Sequence, residues 1–491
     1  ALKGRRIISI QQNYFMLTGI ATRQTYMETF FNPSSVAIIG ATEKAGSLPG
    51  IILKNLLDMG FKGKMYPVNP KYGNVFGLTC FSSILDIPDE IALTVIAIPA
   101  PLVLDVMKQQ AQKRIRHSII ISAGFREMGT EGIEMEEKIK QVAIENNIRI
   151  LGPNCLGVLD NYTNFTTSFL PWERVSKPKK GALSILSQSG AFAIALLDLA
   201  AQEGLGIAKM VNYGNRIDIG ESTLLPFLMD DMYTKVIAIY MESVDHGRRF
   251  IEAAKACSKK KPIIALKVGK GAAGIAAAKS HTGAIAGKYE IYKAAFLKSG
   301  IIEANGLEEF IDGVKALSMQ NPPKGNRILI VTNGGGFGVI VADYCSENGL
   351  AVPTPSPQLK EKLKNKFSRF YVVNNPVDLT GSACDEDYRI ALNTCMIESD
   401  EYDAAIIIPL MAPQGMTEKI VDLVVETMKL SGKPAVVCTV GGTFTMKIKQ
   451  LFEDRMFPVY PSPERSARAM SMLLKRKILQ TGMVHTQGGG V

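Results

Sequence analysis

Residues 35–47 read SVAIIGATEKAGS, and their reading decides the fold. A β-branched apolar run, Val36 to Ile39, ends at Gly40, and after a short polar turn a helix begins at Gly46 and Ser47. Strand, glycine turn and helix together open a parallel crossover, because a parallel neighbour can be reached only through a long connection. The rhythm returns in KMYPV (64–68), LTVIAIP (93–99), HSIIISAG (117–124) and IRILGPN (148–154). A Pro- and Lys-rich stretch, 171–181, interrupts it. A second series follows in ALSILSQSG (182–190), VIAIYMES (236–243) and PIIALKVG (262–269). After a break at Asn321, Pro322, Pro323 and Lys324 comes a third, RILIVTNGGG (327–336), AAIIIPL (404–410) and AVVCTVGG (435–442). The predicted class is α/β: three successive domains with mainly parallel sheets, spanning 27–175, 176–320 and 325–480. Residues 481–491 read as a flexible Gly-rich tail.

Size and composition agree. A chain of 491 residues exceeds what one core organises, and 46% apolar with 21% charged residues is a globular balance. The net charge of +10 comes from 56 basic against 46 acidic side chains, and Lys3, Arg5, Arg6 and Arg23 lie in an acid-free N-terminal stretch. Residues 1–26 are set aside as an extension, either a transit peptide or a stretch foreign to the native chain, with Met27 a candidate start. No basic run is interleaved with aromatics, which argues against nucleic acid as a partner. The apolar stretch 91–104 is broken by Pro99 and Pro101 and is too short for a membrane span. The seven cysteines show no CxxC spacing and no export signal precedes them, so a cytoplasmic location is expected.

In parallel sheets ligands gather beyond the carboxyl ends of the strands. After the first strand stand Gly40, Thr42 and Ser47, a turn suited to phosphate at a helix start, but Thr42 replaces the second glycine of a GxGxxG fingerprint. After the second strand come Val68, Asn69, Pro70 and Lys71, where an NAD site wants a carboxylate for the ribose hydroxyls. A lysine there suits coenzyme A, which carries a ribose 3′-phosphate; read alone, Lys71 is equally an ordinary surface lysine. The following strand ends supply Ile98, Pro99 and Ala100, then Ser122, Ala123 and Gly124, then Asn154 and Cys155. Each could be plain turn chemistry. Together, with the GPNCxG turn at 152–157, they resemble the CoA-binding domain of the succinyl-CoA synthetase superfamily. In that family the turn cysteine is not the nucleophile, so Cys155 reads as structural.

Of four histidines, His117, His246 and His485 read as structural or exposed. His281 sits in SHTGAIAG (280–287), after a strand and a Gly/Ala-rich loop. Its spacing matches neither a metal site nor a triad. The octapeptide resembles the phosphohistidine loop of ADP-forming acetyl-CoA synthetases, and the resemblance implies that His281 carries phosphate. Glu242 is similar to the family glutamate that orients the imidazole; without the resemblance it reads as an exposed strand-end carboxylate. Two strand-to-helix turns, Ser187, Gln188, Ser189, Gly190 and Asn333, Gly334, Gly335, Gly336, resemble the paired helix starts that cradle the phosphoryl group, with Ser187, Ser189, Gly190, Gly335 and Gly336 as its contacts. Gly214, Asn215 and Asp218, and Asn375 to Asp378, match further family turns and read equally as structure.

The resemblance runs from about Met27 to Leu479. It implies a Rossmann-like CoA-binding domain followed by two flavodoxin-like ligase domains, and an alpha-type subunit of an ADP-forming acyl-CoA (acetate–CoA) ligase. ADP or ATP and Mg²⁺ would bind an ATP-grasp beta subunit in an α2β2 assembly, and no metal ligand is assigned to this chain. Rival readings are a non-catalytic CoA-binding regulatory subunit, an enzyme of other acyl specificity like succinate–CoA ligase, and a P-loop NTPase. The last rests on residues 274–280, GIAAAKS, where Ala278 stands in place of the second glycine.

Overall fold

A computed structural model describes residues 26–282, 288–367 and 371–481, with only the backbone described at 278–282. Its first sheet is formed by β1 (Ser35–Ile39), β2 (Lys64–Val68), β3 (Leu93–Ile96), β4 (His117–Ile120) and β5 (Arg149–Leu151), in the order β2-β1-β3-β4-β5, all parallel. These are the five expected strands. Helix α1 (Leu48–Met59) leaves the β1 turn with Ser47 at its N-cap. The N-terminal helix turn begins one residue ahead of Met27. Tyr26, assigned to the extension, packs its ring 4.8 Å from that of His117 and beneath Arg149.

The second sheet has the order β12-β11-β10-β8-β9-β6-β7. Its strands are β6 (Gly157–Asp160), β7 (Phe165–Thr166), β8 (Lys180–Ser187), β9 (Ile207–Asn212), β10 (Val236–Met241), β11 (Ile263–Lys267) and β12 (Ile301–Ala304). The hairpin β6–β7 precedes the Pro/Lys-rich break, yet it pairs antiparallel with β9. The buried Lys209 ammonium on β9 holds Asp160 of the hairpin at 3.0 Å and Asp231 at 2.8 Å, which fixes that register. Asn55 of α1 in turn donates to Ser168 and Leu170 just beyond the hairpin. Residues 157–170 therefore bind the first two sheets together.

The third sheet runs β14-β15-β13-β16-β17-β18, from β13 (Ile328–Thr332), β14 (Val372–Val373), β15 (Val377–Asp378), β16 (Ala404–Ile408), β17 (Ala435–Cys438) and β18 (Val459–Tyr460). One apolar core joins the first two sheets, through Val36, Ile38 and Leu53 with Leu186, Val211 and Ile237. Another joins the second and third, through Ile185, Met210 and Ala238 with Ile330 and Ile406. Helices α4 (Leu307–Met319) and α5 (Gly335–Glu347) both pack on α6 (Pro463–Thr481) in this second core.

Helix α2 (Gly190–Gln202) follows β8. One expectation is corrected after β11. The Gly/Ala-rich segment is no loop but helix α3 (Ala272–Thr282), because Ala272, Ala273 and Ala276 to Ala278 are the best of helix formers. The same helix removes the P-loop reading: residues 274–280 lie inside it, where no loop can wrap a phosphate. Among the described residues, no helix is long and apolar enough to cross a membrane.

Candidate active site

The carboxyl ends of the first two sheets face each other across a cavity of about 540 Å³. Its first wall carries Ile98, Pro99, Ser122, Ala123, Asn154 and Cys155; its second carries Gln188, Ser189 and Gly190 at the start of α2, with Asn212 and Asn215 behind. Eight residues expected from the sequence to contact CoA or phosphate thus share one cavity. Glycine is required where the walls meet. Gly214 has φ +49°, and a methyl group on it would stand 2.1 Å from the Asn154 carbonyl oxygen. Asn215 ties the walls by donating to Glu127 (2.7 Å) and Glu136 (3.1 Å), and Arg149 grips Asp218 with two bonds of 2.6 and 2.9 Å.

Several of these residues are already engaged by the protein. Ser122 accepts from the Ile98 amide at 3.2 Å and donates to its carbonyl at 2.5 Å. The Gly124 amide donates to Glu127 at 2.6 Å. Cys155 lies buried with its sulfur 3.3 Å from the Ile120 carbonyl, and burial pushes its thiol up to about 12, which leaves no thiolate near neutral pH. That is the behaviour of a structural cysteine.

The β1 turn lies outside this cavity, farther along the same sheet edge. Gly40 adopts φ +93°, and a methyl group there would stand 2.8 Å from Ile98 Cγ2. Asn69 fixes the turn, donating to the Ala41 carbonyl (2.9 Å) and accepting from the Lys71 amide (3.0 Å). The Lys71 side chain is exposed, Thr42 is buried, and Ser47 makes no capping bond through its side chain. Gly40, Thr42, Ser47, Val68, Asn69, Pro70, Lys71, Ala100 and Gly124 do not line the cavity.

Behind the second wall stands Glu242, at the end of β10. It is 4% exposed, so the exposed strand-end reading fails. The amides of Glu242 and Ser243 both donate to Gln188 Oε1, the latter at 2.9 Å. Tyr240, two residues earlier on the same strand face, stacks on Phe192 at 4.1 Å. Burial, then the Glu242 charge and a hydrogen bond to that carboxylate, push its phenol up to about 12. Lys267 sits opposite Met241 in the β10–β11 register, buried, with its ammonium 4.5 Å from the Tyr292 ring centre; burial lowers its pKa while Glu242 opposes the shift. Period-two alternation could have found Tyr240; the Gln188 clamp has no signal in the sequence.

Ser187 donates to the Ser189 carbonyl (2.7 Å), and Ser189 caps α2 by accepting from the Phe192 amide (3.3 Å). The other anticipated helix start is occupied from within. At Gly335 a methyl group would meet Asp378 Oδ2 at 2.4 Å, so this carboxylate already lies against the start of α5. Gly335 and Gly336 do not line the cavity. Asn375 is bound by the backbone of Ile328, Ile330 and Pro353, a structural role. The backbone of His281 falls in the last turn of α3, and α3 packs against the turn Arg126–Met128 of the first unit. The His281 side chain, residues 283–287 and His485 lie outside the described residues.

Comparison with known proteins bears on this arrangement. Residues 34–161 match a CoA binding domain, 180–317 a succinyl-CoA ligase like flavodoxin domain and 328–472 a Ligase-CoA domain. The chain is 39% identical over 455 residues to the alpha subunit of acetate–CoA ligase (ADP-forming) I from Pyrococcus furiosus, an alignment covering 91% of this chain and 97% of that subunit. It is 39% identical over 451 residues to acetate–CoA ligase (ADP-forming) from Methanocaldococcus jannaschii, where 91% of this chain covers 63% of a longer protein. Among solved structures, dinucleotide-forming acetyl-coenzyme A synthetase 1 of Ca. Korarchaeum cryptofilum, in complex with phosphate and ADP, superposes with a TM-score of 0.87 at 34% identity, over 94% of this chain and 99% of that one.

Proposed function

Since the chain belongs to the ADP-forming acetate–CoA ligase family, in which it matches an alpha subunit nearly end to end, we propose that it converts acyl-CoA, phosphate and ADP to acid, CoA and ATP through an acyl phosphate and a phosphohistidine on His281. The observation that carries this reading is the shared cavity, which sets the Asn154–Cys155 turn of the CoA binding domain against the start of α2 with Glu242 directly behind. An acyl thioester held by the first wall would have its carbonyl facing the free amides of the second.

In the first step a phosphate oxygen attacks the thioester carbon. A C–O bond forms, the C–S bond breaks, and the phosphate proton passes to the departing CoA thiolate. In the second, the unprotonated ring nitrogen of His281 attacks phosphorus and the P–O bond breaks to release the carboxylate. The other ring nitrogen keeps its proton, and the Glu242 carboxylate supports the resulting imidazolium. The positive end of α2, at Ser189 and Gly190, favours the phosphoryl group during transfer. Lys71, with Gly40, Thr42 and Ser47, would take the phosphates of CoA. His281 then passes the phosphoryl group to ADP on an ATP-grasp beta subunit, with Mg²⁺ on that partner, in a cytoplasmic α2β2 assembly. The longer single-chain relative, of which this chain spans 63%, fits such a division of labour.

The test uses the chain with its ATP-grasp partner and acetyl-CoA, labelled phosphate and ADP. Wild-type protein is expected to acquire acid-labile label on His281 and form ATP. His281→Ala is expected to bind CoA normally while losing both. ATP formed by His281→Ala at the wild-type rate rejects the phosphohistidine route, and absence of label on the wild type favours a regulatory subunit.

A further inference from the structure

Gln188 lies between the cavity and Glu242. The residue is only 9% exposed and lines the cavity. The Glu242 and Ser243 amides both point at Oε1, which fixes the orientation of the side-chain amide, because Nε2 carries only donors and cannot face two N–H groups. Nε2 is therefore the other prong, and it has no protein partner among the described residues. On a residue that lines the cavity, that donor is open to an acceptor on a ligand. Gly190 and Ala191 also line the cavity, and their amides belong to the first turn of α2, where they have no intrahelical acceptor.

We propose that Gln188 Nε2 is a catalytic donor to the acyl carbonyl oxygen, forming with the first amides of α2 the pocket for the oxyanion that develops when phosphate attacks the thioester. When the C–O bond forms, the carbonyl electron pair moves onto this oxygen; when the oxyanion collapses, the pair returns and the C–S bond breaks. Nε2 gives up no proton at any stage. This assignment rests on the reaction proposed above but adds to it a residue acting only where acyl carbon changes geometry. The phosphoryl transfer from ATP to His281, run in reverse on the partner, does not involve that oxygen.

The discriminating variant is Gln188→Glu in the assembled enzyme. One carboxylate oxygen keeps the clamp on Glu242 and Ser243, while the other replaces the donor. Isotope-edited infrared spectra of bound 1-¹³C-acetyl-CoA, without phosphate, read the carbonyl directly. The wild type is expected to lower the carbonyl stretch relative to solution, and the variant to return it toward the solution value. Labelling of His281 from acetyl-CoA and phosphate should fall about 100-fold or more, as for loss of an oxyanion donor, while labelling from ATP stays within about threefold. Should Gln188→Glu misfold, the wild-type spectrum still decides, since an unshifted carbonyl overturns the proposal. So does a stretch that is the same in both proteins, or an equal loss of label from both sources, which would make Gln188 only a support for Glu242. A wild type that labels from neither source rejects the underlying reaction instead.

Discussion

At the scale of single residues, His117 shows what burial does to a side chain whose role the sequence had left plain. Its Nδ1 lies 3.2 Å from the Ala92 carbonyl and its ring is boxed by Tyr26 and Phe30. Burial, with the Arg149 charge adding to it, lowers its pKa from 6.5 to about 4. The unfolded ring takes a proton near pH 6.5 and the folded one only near 4, so the unfolded state binds more protons in between. Stability is full above about pH 6.5 and falls as the pH drops through this window, by up to about 3 kcal/mol. Urea midpoints at pH 7 and pH 4.5 should differ markedly for the wild type and less for His117→Phe; parallel profiles would assign the titration elsewhere. The structural reading of His117 was available from its position before a strand, whereas the environment of Glu242 was not. A strand-end glutamate looks exposed in a sequence, and although alternation places Tyr240 on its face, only the fold supplies Gln188 and Lys267 around it.

At the scale of elements, the site depends on two turns pressed together. The turn after β5 and the turn after β9 meet at Gly214, and the three close contacts of a methyl group there would all be with backbone, 2.1 Å from Asn154 O, 2.4 Å from Pro153 O and 2.6 Å from Asn154 C. Backbone cannot rotate aside as a side chain can. Gly214→Ala is expected to cost about 2–3 kcal/mol, by overpacking and the positive φ, and to weaken CoA binding by shifting the Asn154 wall. Thermal melts and CoA titration measure the two effects, and an unchanged CoA affinity would show that the wall does not contact the ligand. The turns themselves could be read in sequence as glycine punctuation. The helical state of residues 272–282 could have been read as well, since its alanines outweigh Gly274; treating glycine and alanine as one loop-forming class hid it.

At the scale of the whole molecule, the second and third units are joined through Lys315 of α4. Its ammonium is buried, 2.7 Å from Glu203 and 2.8 Å from the Val459 carbonyl, and pairs with Glu453 of the third unit. Removing the cation leaves the Glu453 carboxylate buried beside Lys449 alone. Lys315→Met is therefore expected to lose about 3–5 kcal/mol, and Lys315→Met with Glu453→Met to recover much of it. Calorimetry should resolve the single variant into two transitions, the third unit melting first; one cooperative transition of unchanged midpoint would mean that the apolar core alone joins the units. What the sequence by itself determined was local: the strongly β-branched runs that form the main parallel strands, the turns that end them and the side chains that follow, because periodicity and turn chemistry act within a few residues; the shorter strands such as β6, β7 and β14 carry too little pattern to be read that way. The tertiary structure alone decided that β6 and β7 leave the first sheet for the second, that two walls close one cavity, and that Gln188 is clamped with its donor free. Those are choices among partners far apart in the chain, made by buried pairs such as Lys209 with Asp160 and by cores shared between sheets, and no local pattern encodes them.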